Sequence, residues 1–104
     1  MPIFQLAHYQ VNASAVEKVK QAIAEFVDYI AANEPGTEVY LAWQQQDDPT
    51  RFVHVFKFAD EAAQTIHSQS EQVRRFEAVY TPELVSHGVD FVDYTCVAGK
   101  WSTD

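Results

Sequence analysis

Residues 36–69, GTEVYLAWQQQDDPTRFVHVFKFADEAAQTIHSQ, decide the fold of this 104-residue chain. Val39, Leu41 and Trp43 alternate with Tyr40, Ala42 and Gln44, the two-residue period of a strand, over about 37–46. Asp47, Asp48, Pro49 and Thr50 are turn formers. A second alternating run follows over about 51–58, with Phe52, His54, Phe56 and Phe58 on one face and Val53 and Val55 on the other. Two strands joined by so short a link form an antiparallel hairpin. Asp60 then caps a helix carrying Ala62, Ala63, Ile66 and His67, and Ser70 starts a further helical piece with Val73, Phe76, Val79 and Tyr80 inward. Pro82 ends it.

Upstream, residues 3–11 alternate, with Ile3, Gln5, Ala7, Tyr9 and Val11 opposite Phe4, Leu6, His8 and Gln10. Ser14 and Glu17 have the spacing of a capping box. Val16, Val19, Ile23, Phe26 and Ile30 form one helical stripe, widened by Val27. That helix stops near Asn33, because Pro35 disfavours helical geometry at Glu34 and Gly36 permits an unusual backbone angle. Downstream, a last strand covers about 89–97, and residues 99–104 form a polar tail. The order is βαββαβ, an α+β domain with a four-stranded antiparallel sheet and helices on one face.

The length is that of one domain, 1–104. Apolar residues make up 47% and aromatics 13%, a globular composition. A formal charge of −8, with no basic cluster beyond Arg74-Arg75, argues against nucleic-acid binding. No apolar run approaches the about 20 residues of a membrane span, and the N-terminus lacks the pattern of a signal peptide. A single cysteine, Cys96, cannot form an internal disulfide, which fits a reducing cytoplasm.

Helices on one side of the sheet leave the other side to be covered. The strands carry large apolar residues on both faces: Phe4 and Leu6 against Ile3 and Tyr9, Tyr40 against Leu41 and Trp43, Phe52 and Phe56 against Val53 and Val55. Such a face marks an interface, and the expected solution is a two-fold homodimer packed sheet to sheet.

Several local features together resemble the antibiotic biosynthesis monooxygenase (ABM) domain family of the dimeric α/β-barrel superfamily. They are Pro35-Gly36 after the first helix, the strand opening Thr37-Glu38-Val39 and the Asp47-Asp48-Pro49 turn. The aromatic strand over 52–58 and the segment from Asp60 through His67 to Ser70 complete the likeness. The resemblance implies a ferredoxin-like fold, a homodimer, a cavity between sheet and helices, and a cofactor-independent monooxygenase that converts a small aromatic phenol or quinol to a quinone. Two departures stand out. Phe56 and Phe58 occupy positions where the family often carries Glu and Trp, and no tryptophan lies between Trp43 and Trp101, which disfavours the family's haem-degrading branch. The alternative is a non-catalytic dimeric module of the same fold that binds a small ligand or serves a stress response.

His67, at the family's histidine position, is the first candidate for a general base, since an imidazole titrates near neutral pH. Loss of its proton makes a phenol electron-rich enough to reduce O₂. His54, in step with Phe52 and Phe56, is the second candidate. The competing reading of each is a structural histidine. Tyr40, Trp43, Phe56, Phe58, Tyr80 and Tyr94 are candidates for holding a flat substrate, against ordinary packing. His8 resembles His54 in setting, and His87 is expected in an exposed loop. Arg74 and Arg75 fit a solvated helix face better than an anion site. Cys96 is expected as a small buried hydrophobe. No H-x-x-x-H or C-x-x-C spacing points to a metal, and no cofactor is expected.

Overall fold

A computed structural model describes residues 1–86 and 88–100. The strands are β1 (Ile3–Gln10), β2 (Thr37–Gln44), β3 (Arg51–Phe58) and β4 (Asp90–Tyr94); the helices are α1 (Val16–Asn33), α2 (Glu61–Ser68) and α3 (Glu71–Tyr80). Short 3-10 turns cover Ala13–Ala15 and Thr81–Glu83. The sheet order is β2-β3-β1-β4 and every pairing is antiparallel. With the helices on one face this is the ferredoxin-like α+β arrangement. His87 and the end of the tail lie outside the described residues.

Local chemistry explains most boundaries. Asp60 Oδ1 accepts from the Ala63 N–H at 2.8 Å and Ser70 Oγ from the Val73 N–H at 3.0 Å, so each fixes the start of its helix. In the hairpin, Asp48 Oδ1 accepts from both the Thr50 hydroxyl and the Thr50 N–H, and Arg51 Nε reaches Asp48 Oδ2 at 3.1 Å. These bonds, led by the Thr50 hydroxyl, hold the Asp48 carboxyl below its ordinary range.

Four expectations are corrected. Ser14 does not cap α1: Ala15 N–H already bonds the Asn12 carbonyl, so the chain is turning before Ser14, and α1 begins at Val16 without a side-chain cap. Gly36 has no positive φ; its reason is space, because a Cβ there would lie 2.6 Å from the Ala63 Cβ of α2. The outer strands β2 and β4 end earlier than alternation implied, at Gln44 and Tyr94. Cys96 therefore lies beyond β4 and is only half-buried.

The core lies between the sheet and the helices. Val19, Ile23, Phe26 and Ile30 of α1 pack with Tyr9, Phe52, Phe76 and Tyr80, the stripe that three- and four-residue spacing specifies. Among the described residues, no element covers the opposite face. Across it run Leu41, Val55, Leu6 and Val92 in one row, and Val39, Lys57, Phe4 and Tyr94 in the next. Lys57 is nonetheless buried: its Nζ sits 3.0 Å from Glu38 Oε1 and 5.8 Å from the centre of the Phe4 ring. Trp43, 54% exposed, stands on this face beside Val53. Among the described residues, no helix is long and apolar enough to cross a membrane.

Candidate functional site

The strand order puts β3 and β1 at the centre of the sheet, so side chains on their helix-facing side are the most enclosed polar positions available. His54 occupies one of them and is 2% exposed. Its Nε2 shares a 2.7 Å hydrogen bond with the Tyr9 hydroxyl, and its Nδ1 another of 2.7 Å with the Tyr40 hydroxyl. Burial disfavours the imidazolium and pushes the His54 pKa down to about 4, so the ring is neutral at physiological pH. Burial likewise pushes the Tyr9 and Tyr40 hydroxyls far above the ordinary tyrosine range, helped by neighbouring tyrosines and, for Tyr40, by Glu34. Tyr80 rises to about 12 through burial and the nearby Glu77.

His67 reaches the same region from α2. It is 8% exposed, and its ring lies 5.2 Å from Phe58, 5.5 Å from Phe26 and 5.7 Å from Tyr40. Its Nδ1 lies 2.8 Å from Glu34 Oε1. Among the described residues nothing bonds its Nε2. Glu34 leaves the helical conformation at the end of α1, as a residue before proline does, and the chain turns so that the Thr37 N–H reaches the Glu34 carbonyl at 3.0 Å. The Thr37 hydroxyl donates to the same Oε1 at 2.9 Å. Simple alternation would set Thr37 beside Val39 on the open face. The register shifts between those residues, and Thr37 pairs instead with Phe58 on the helix side. That irregularity is what brings its hydroxyl to Glu34. A carboxylate accepting from Nδ1–H holds the proton on that nitrogen and leaves Nε2 as the basic atom.

The two histidines meet at one cavity of about 60 Å³, walled by Ala7, Tyr9, Tyr40, His54 and Phe56 of the sheet, Phe26 of α1, His67 of α2, and Val73 and Phe76 of α3; Glu77, Tyr80, Val89 and Phe91 complete the lining. Phe91 is 60% exposed on the edge strand. Of the residues singled out from sequence, the fold gathers His54, His67, Tyr40, Phe56 and Tyr80 around this cavity, and Phe58 packs against the His67 ring. Trp43 and Tyr94 stand on the far side of the sheet, and His8 is exposed there too. Arg75 pairs loosely with Glu71 at 3.6 Å and Arg74 bonds the Gln69 carbonyl, both on the exposed surface of α3. Among the described residues no three potential metal ligands converge.

Sequence reasoning missed Glu34 and Tyr9. One signal was available for Glu34: an acidic side chain at a helix C-terminus sits at the wrong end of the dipole, so it needs a specific partner.

The fold defines a ferredoxin-like α+β domain with a small cavity between sheet and helices, and solved structures bear out the architecture. A protein from Bacteroides thetaiotaomicron superposes with a TM-score of 0.88 at 16% identity, covering 99% of this chain and 96% of the other. An antibiotic biosynthesis monooxygenase gives 0.83 at 23% identity, covering 92% and 99%. A protein from Pseudomonas aeruginosa gives 0.81 at 21%, covering 93% and 95%. No curated protein matches the sequence. The family profile described as antibiotic biosynthesis monooxygenase matches residues 2–79, and the chain belongs to that family.

Proposed function

We propose that the chain is a cofactor-independent monooxygenase that oxidises a small aromatic phenol or quinol to a quinone. The observation that carries this reading is the Glu34–His67 pair: a buried carboxylate on Nδ1, with Nε2 unbonded in a cavity shared with Tyr40 and His54. In this reading Nε2 takes the phenolic proton. The phenolate then passes electrons to O₂. With a phenol, one oxygen atom ends in the new quinone carbonyl and the other leaves as water with the two hydrogens the substrate loses. A quinol already carries both oxygens, so it gives up two hydrogens and two electrons and O₂ leaves as hydrogen peroxide. His54 cannot serve as the base in the same way, because both of its nitrogens are occupied. It holds Tyr9 and Tyr40 in place. Phe56 and Tyr80 wall the cavity and Phe58 backs the His67 ring, while Trp43 and Tyr94 serve the open face.

The open sheet face supports a homodimer, with Leu6, Leu41, Val53 and Val55 at its centre. The lone cysteine supports a reducing cytoplasm as the working compartment.

One observation favours a second reading. About 60 Å³ is the room of about two waters, far below the several hundred Å³ of an ordinary ligand site. As it stands, the cavity admits only the oxygen-bearing edge of a ring, with the remainder resting near Phe91. Of the two forms of the non-catalytic alternative, a small-ligand-binding module would need more room than this, whereas a stress-response module that holds no ligand here would not.

Oxygen uptake separates the two. With menadiol-type quinols and anthrone-like phenols, uptake by the native protein is expected to exceed that of His67→Ala by roughly 10²-fold or more, the usual contribution of a general base. Equal rates for native, His67→Ala and heat-killed protein would remove the enzyme reading for these substrates.

A further inference from the structure

The Tyr9–His54–Tyr40 chain contains a proton that its own hydrogen bonds do not use. Each tyrosine hydroxyl brings one hydrogen, and a neutral imidazole brings one on nitrogen. The two bonds to the ring, both 2.7 Å, consume two of the three. One hydroxyl must therefore accept from the ring and direct its own hydrogen elsewhere. If the ring proton is on Nδ1, that hydroxyl is Tyr40's; if it is on Nε2, it is Tyr9's.

The two ends of the chain differ. Tyr9 is stacked on Phe52 and Tyr80, at 5.6 and 5.3 Å. Tyr40 lies beside His67, within the field of the Glu34 carboxylate. Glu34 Oε1 accepts from both His67 and Thr37, while its Oε2 is buried with no partner among the described residues. A negative, under-satisfied carboxylate near one end of a row of O–H and N–H dipoles draws their positive ends toward it. That places the ring proton on Nδ1. Tyr40 does not itself hydrogen-bond Glu34, and the cavity it lines is where its hydrogen can go.

We infer that Tyr40 turns its hydroxyl hydrogen into the cavity as the donor to an acceptor oxygen of the ligand, a phenolate or a carbonyl, and that His54 and Tyr9 are positioning residues behind it. The inference rests on the reading that this cavity is the ligand site. Because burial keeps both tyrosines protonated, Tyr40 donates a hydrogen bond and does not give up its proton. It is a preorganised partner for negative charge on the oxygen that His67 deprotonates.

Two measurements test this, and neither depends on turnover. Nitrogen-15 spectra of the native protein at neutral pH are expected to show His54 as the neutral Nδ1–H tautomer. 4-Nitrophenol, followed by its colour, is expected to bind as the phenolate. Tyr40→Phe is expected to weaken it about 10- to 100-fold, the range for a hydrogen bond to a charged group. Tyr9→Phe, which keeps the ring stacking, is expected to weaken it less and to leave His54 as a mixture of tautomers. An Nε2–H tautomer in the native protein, no binding of the probe, or equal affinity in native and Tyr40→Phe protein would each overturn the inference. Loss of oxygen uptake alone would count against the enzyme reading and leave this one standing.

Discussion

His54 has almost no exposed surface, and burial away from water disfavours its charged form. His54 therefore makes stability depend on pH. Its folded pKa of about 4 lies below the ordinary histidine value of about 6.5. The unfolded chain takes up a proton first as the solution is acidified. The stabilisation is complete above about pH 6.5 and is lost as the pH falls toward about 4. The difference amounts to about 3 kcal/mol by pH 4. Urea unfolding of native and His54→Gln protein at pH 7 and pH 4.5 checks this. The native protein is expected to lose about 2 kcal/mol more than the variant over that interval, and parallel losses would show that His54 does not titrate in the way described.

At the level of elements, the decisive contact is the one between the turn after α1 and the first turn of α2. A Cβ on Gly36 would meet Ala63 at 2.6 Å, and Ala63 lies one helical turn before His67. Gly36→Ala is expected to push α2 outward, to cost about 1–3 kcal/mol as overpacking does, and to loosen the His67–Glu34 bond. Ala63→Gly in the same chain is expected to recover most of that, less about 1 kcal/mol for glycine in a helix. A double-mutant cycle by urea unfolding reads the coupling, and purely additive losses would count against the contact. The same elements show what was legible beforehand. β3 was readable to the residue, because hairpin turn chemistry and alternation are local. Asp60 and Ser70 were readable as caps for the same reason. Ser14 was not, since a 3-10 turn beginning at Asn12 pre-empts it. Alternation sets Tyr40 and Trp43 on opposite faces, and in the fold Tyr40 lines the cavity while Trp43 stands on the open face. Glu34 and Tyr9 find their partners 33 and 45 residues away, and no local pattern reports such distances. The shift that turns Thr37 inward is equally silent in the sequence.

For the molecule as a whole, the uncovered sheet face decides the behaviour in solution. Light scattering at micromolar concentration is expected to give twice the 11.8 kDa chain mass. Val55→Lys, at the middle of the open face, is expected to halve it, because a partner would have to bury an unpaired ammonium. A native protein that runs as a well-behaved monomer would remove the dimer. The sheet is also two surfaces written on one thread. Odd positions of β1 and even positions of β3 turn toward the cavity, and the residues between them turn toward the face that a second copy would cover. Neither surface can be edited in length without the other. Loss of one residue from the middle of β3 would send everything beyond it to the wrong side, exchanging histidine and phenylalanine for valine and lysine. Within these strands point substitution preserves both surfaces, whereas a change of length leaves both intact only in the connections or where, as between Thr37 and Val39, the register shifts to absorb it.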